Sequence, residues 1–133
     1  MASILISKTL SLSIECAPRR AYEFVSNPEN LPKWATAFCR AVRKSDSEWI
    51  VETPDGQVGI QFAAQNNFGV FDHHVTVKPG VELLIPMRVV PNRSGSDINF
   101  TLFQSPDTSD AKFAQDAGLV ERDLRNLKKA LEK

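Results

Sequence analysis

The chain has 133 residues, 42% of them hydrophobic, and its 16 Lys and Arg side chains are balanced by 16 Asp and Glu. That length predicts one domain over residues 1–133, able to bury roughly two-thirds of its unfolded surface without disulfide staples. Zero net charge excludes the concentrated positive field that a nucleic-acid groove or a polybasic membrane surface needs.

The opening Met1-Ala2-Ser3-Ile4-Leu5-Ile6 carries no basic stretch, and Lys8 interrupts the apolar run that a secretory signal keeps whole. No stretch of about 18 apolar residues is present to span a bilayer. A cytoplasmic location is expected, with Cys16 and Cys39 as reduced thiols. From Ile4 to Cys16 apolar residues fall on even positions and Ser, Thr and Glu on most odd ones, which predicts a half-buried strand. Pro18 suits the first turn of a short helix whose apolar face is Ala21, Tyr22, Phe24 and Val25, and Asn27-Pro28 ends it. A second short helix is expected over Glu29 to Trp34, with Pro32 tolerated only near its start.

Between Phe38 and Gln104 the pattern predicts six strands. Asp55-Gly56 reads as a two-residue hairpin turn, which sets Val51 opposite Ile60 and Trp49 opposite Phe62. Asn66-Asn67 reads as another, with Phe71 opposite Phe62, His73 opposite Ile60 and Val75 opposite Val58. Around Pro79-Gly80 a looser connection pairs Val77 with Leu83 and brings Asp72 near Arg88. A long turn from Pro91 to Asp97 leads into Ile98, Phe100 and Leu102. Thr108 or Ser109 then caps a terminal helix whose stripe is Phe113, Ala117, Val120, Leu124, Leu127 and Leu131.

Strands joined by short turns pair antiparallel, so the apolar face of this meander needs a cover, and the terminal helix supplies it. A strongly twisted sheet curls, and a straight helix laid across its concave side leaves a cavity. The element order, with Asn27-Pro28-Glu29-Asn30-Leu31-Pro32-Lys33-Trp34 after the first helix, resembles the SRPBCC superfamily, the START-like or polyketide cyclase/dehydrase-like proteins. Phe68-Gly69-Val70-Phe71-Asp72-His73-His74-Val75, Arg88-Val89-Val90-Pro91-Asn92 and Val120-Glu121-Arg122-Asp123-Leu124 are similar to segments of its small bacterial members. The resemblance implies an α+β helix-grip fold, a seven-stranded curved antiparallel sheet (β-α-α-β6-α) wrapped on the C-terminal helix, and a pocket for hydrophobic small molecules between them.

His73 shares the alternation of Phe71, Val75 and Val77, so it faces the apolar side, either as a general acid or base or as a satisfied core residue. His74 points to the opposite face, so the pair cannot chelate one metal, and no metal site is expected. Asp72 and Arg88 read as a cross-strand ion pair on the outer surface. Arg40 either meets an acidic head group or joins Arg43 and Lys44 in a solvated edge. Trp49, Phe62, Phe71, Met87, Phe100 and Phe113 converge on the space under the helix and, with Arg40 and His73, make up the expected ligand-binding set. Gly118, inside the helix, leaves room for a ligand or for a close strand. Nucleophile-elbow, Walker, dinucleotide and zincin motifs are all missing, so no cofactor is expected. The function these features predict is binding of a small hydrophobic or amphipathic molecule by a monomer or weak dimer. The alternatives are a cyclase or dehydratase using His73 and a protein-interaction module that uses the same groove.

Overall fold

Residues 4–133 are described by a computed structural model. The first alternating run becomes β1 (Ser7–Ile14), paired antiparallel with β8 (Gly95–Phe103). Its odd positions form a polar ladder on the outer face: the Thr9 and Thr101 hydroxyls lie 2.9 Å apart, Ser11 donates to Asn99 and Ser13 to Asp97. Its even positions set Leu10, Leu12 and Ile14 opposite Phe100, Ile98 and Ser96 on the inner face. Helix α1 (Pro18–Val25) starts with Pro18 and buries Ala21, Tyr22 and Val25. A single 3-10 turn, Pro28–Asn30, follows, where the Asn27 side chain accepts the Glu29 N–H, and α2 (Leu31–Trp34) starts at Leu31 and not at the expected Glu29, which puts Pro32 in its first turn.

Five strands make one hydrogen-bonded group, in the order β2 (Ala41–Ser45), β3 (Glu48–Thr53), β4 (Gly56–Phe62), β5 (His73–Lys78) and β6 (Val81–Ile85). A three-stranded group holds β1, β8 and β7 (Met87–Asn92), in that order. The described residues therefore form eight strands rather than the expected seven. Pro86 causes the division, because it has no N–H to give a ladder. Its carbonyl still accepts the Thr101 N–H, so the chain passes from one group to the other alongside β8.

Each expected hairpin register is corrected by two residues. In the first hairpin Val51 faces Val58 and Trp49 faces Ile60. The turn centres on Pro54-Asp55, since the fixed φ of proline suits the second turn position and Gly56, at φ +117, closes it. The Thr53 hydroxyl donates to the Gly56 carbonyl and accepts the Asp55 N–H. Asn66-Asn67 makes no tight hairpin, and Phe62 faces His73 while Ile60 faces Val75. Asn66 instead organises a loop: its side-chain carbonyl accepts the N–H groups of Phe68 and Val70, and its amide donates to Ala64 and Val70. Gly69, at φ +73, presses that loop against the Val89 carbonyl where a Cβ would not fit. In the third hairpin Val75, not Val77, faces Leu83, because the ladder shifts between Thr76 and Lys78 and closes as Lys78 opposite Val81. The expected long turn before β8 shrinks to Arg93-Ser94, with Asn92 opposite Gly95.

Helix α3 (Asp110–Leu131) starts where the Ser109 hydroxyl accepts the Lys112 N–H. It packs against β1 and α2. Its C-terminal end is tied down by Arg20, which donates to the Leu131 carbonyl, and by Lys128, which donates to the Ser13 carbonyl. Ala117, Leu124, Leu127 and Leu131 are buried, whereas Phe113 and Val120 are half-buried. No helix among the described residues is long and apolar enough to cross a membrane.

Candidate functional site

The inner face of the five-stranded sheet follows from alternation: Val51, Ile60, His73 and Val75 are all buried. His73 is 8% exposed, and its Nδ1 lies 3.2 Å from the Phe71 carbonyl oxygen. A carbonyl only accepts, so Nδ1 carries the hydrogen. The Phe62 ring stands 4.9 Å from the imidazole, tilted by 40°. Burial pushes the His73 pKa down to about 4, against smaller upward contributions from the Phe71 carbonyl and from Asp72, so the ring is neutral at pH 7.

The other expected ligand-binding residues separate into three groups. Phe71, Met87 and Phe100 are packed core, with Met87 opposite Phe100 and the Phe71 N–H donating to the Met87 carbonyl. Phe62, Trp49 and Phe113 are half-buried, and the Lys44 ammonium sits 5.9 Å from the Trp49 ring centre. Arg40 is exposed just before β2, where its N–H extends the ladder to Glu52. Gly118 has open space where its side chain would be.

His74 is exposed and lies between Gln61 and Leu84, on the face away from His73. Asp72 and Arg88 form the expected ion pair at 3.0 Å, and Asp72 also accepts the Met87 N–H. Hydrogen bonding from the Arg88 guanidinium holds the Asp72 carboxyl below the usual carboxylate range. The pair thus pins the Asp72 segment to β7, where the two strand groups meet.

One buried cluster is new relative to the sequence reading. Asp123 is buried on α3 and accepts the Ala37 N–H at 3.0 Å. Burial raises its carboxyl, and burial followed by the charge of Asp123 pushes the Cys39 thiol up to about 11. Asn126 ties the same stretch of helix to the Trp34 carbonyl and the Thr36 hydroxyl. The signal was present, because Asp123 stands three residues after Val120 and four before Leu127, within the apolar stripe.

Two hollows open elsewhere on the molecule. One, of about 550 Å³, is lined by residues including Ser13, Cys16, Arg93 and Lys128. The other, of about 800 Å³, lies between α1 and the Asn66 loop, with Tyr22, Phe68, Val89 and Pro91 in its wall. None of the eight expected ligand-binding residues lines either one.

The chain has the helix-grip fold of START-like proteins. An uncharacterized protein from Bacillus thuringiensis superposes with a TM-score of 0.78 at 15% identity, over 96% of this chain and 100% of that one. The Aha1 dimer from Colwellia psychrerythraea gives 0.76 at 17% identity, over 96% and 97% of the two chains. A START superfamily protein from Mycobacterium smegmatis gives 0.71 at 9% identity, over 95% and 97%. No protein-family model matches the sequence, and no curated protein matches it.

Proposed function

We propose that the protein binds a small hydrophobic or amphipathic molecule between the inner face of its five-stranded sheet and the N-terminal half of α3. The observation that carries this reading is the incomplete burial of the apolar side chains there. Phe113 and Val120 on the helix, and Trp49, Phe62 and Ile85 on the sheet, all keep part of their surface open, while Leu124, Leu127 and Leu131 further along the same helix do not. Apolar surface left open on both walls is surface that a ligand can remove from water, at about 25 cal/mol per Å². The fold shared with a START superfamily protein supports the same reading. Binding is favoured over proton transfer because His73 is oriented by a backbone carbonyl and not by a carboxylate.

Titration with N-phenyl-1-naphthylamine, whose fluorescence rises in apolar surroundings, tests the proposal. Saturable one-to-one binding is expected, weakened about tenfold in Phe113→Asp at unchanged melting temperature. A linear, non-saturating response, or full affinity in that variant, overturns it.

A further inference from the structure

We propose that the molecule held against the inner sheet face carries a neutral hydrogen-bond donor, an alcohol or phenol hydroxyl, and gives it to Nε2 of His73. The inference rests on the binding role above and names the chemistry of its ligand. With Nδ1 engaged by the Phe71 carbonyl, the neutral ring presents Nε2 as a bare acceptor. The side chain is 8% exposed, and among the described residues Nε2 has no hydrogen-bond partner. Among the described residues, the one side-chain nitrogen or oxygen that is both fully sealed and unpartnered is the Trp34 indole nitrogen. His73 Nε2 is therefore not fully sealed.

An unpaired acceptor set among apolar groups favours an occupant that donates and disfavours one that cannot. The tilted Phe62 ring beside the imidazole offers a wall for a flat apolar body attached to that donor. A carboxylate would bring lone pairs to a lone pair. Arg88 does not offset this, because Asp72 already engages its guanidinium.

The probes are 2-naphthol and 2-methylnaphthalene, nearly equal in size and differing in the hydroxyl. Nitrogen NMR of His73 in the wild-type protein reads the contact directly. Saturation with 2-naphthol is expected to move the Nε2 resonance away from its bare-acceptor position, and saturation with 2-methylnaphthalene to leave it there. His73→Leu is expected to lower the affinity for 2-naphthol relative to 2-methylnaphthalene about five- to tenfold, and His73→Gln, which keeps an accepting oxygen, to restore part of the difference. The same Nε2 position with both compounds, or a protonated Nε2 in the free protein, overturns the inference while the binding role survives. Failure of both compounds to saturate the protein overturns that role and this inference together. The wild-type spectra decide the matter even if His73→Leu does not fold.

Discussion

The two halves of α3 carry one continuous apolar stripe and meet different fates. In the C-terminal half Leu124, Leu127 and Leu131 are 0–2% exposed and join a core with Ile14, Val25 and Ile98. Arg20 and Lys128 fasten that end to the rest of the chain. In the N-terminal half Ala117 is buried, but Phe113 and Val120 on either side of it in the stripe stay half-buried. A helical period shows which face turns inward; how completely that face is covered depends on what stands opposite.

The sharpest way to break this comparison is truncation in each half. Leu127→Ala should destabilise the protein by about 3 kcal/mol, the usual cost of a cavity in a closed core, whereas Phe113→Ala should cost less than about 1 kcal/mol. Urea unfolding measures both, and equal costs would erase the distinction between the halves.

The next effect depends on pH. Because burial depresses the His73 pKa from 6.5 to about 4, the folded state holds its proton less tightly than the unfolded state. The associated stability is present above pH 6.5 and is lost as pH falls toward 4, an amount of roughly 3 kcal/mol. His73→Leu should flatten that part of the stability curve, as followed by thermal melts across the pH range.

Asp123 works in the opposite sense. Its carboxyl is raised by burial, so its contribution is present at low pH and is lost as pH rises through its folded value. Asp123→Asn, which still accepts the Ala37 N–H, should therefore raise the melting temperature at pH 7 by less than the two effects above. The gain should vanish in acid; a gain that persisted there would remove the electrostatic explanation. The smallest change is expected at Phe68, which is 83% exposed on the Asn66 loop. Phe68→Ser should leave stability within about 0.5 kcal/mol in the same urea assay.

The sheet was legible in its faces and illegible in its registers, for a single reason. Alternation has a period of two, so moving a strand by two residues leaves every side chain on its original face. Val51, Ile60, His73 and Val75 therefore point inward, as their spacing predicts, although their partners differ from those expected. The partners were decided by Pro54 taking the second turn position, by the Asn66 side chain holding a loop open, and by the bulge before Lys78. Of the candidate site, the inward placement of His73 and its neighbour Phe62 could be read from spacing. The burial of Asp123 was also within reach of spacing, whereas the exposure of Arg40 was not, because it depends on what other segments lie against it.

By itself the sequence determined the periods, the helix starts at Pro18 and at Thr108 or Ser109, and the inward parity of Val51, Ile60, His73 and Val75, all of which arise within a few neighbouring residues. The tertiary structure alone decided where Pro86 passes the chain between strand groups, which half of α3 is sealed, and which nitrogen of His73 is left free. Those outcomes depend on contacts between segments far apart in the chain, which local spacing does not encode.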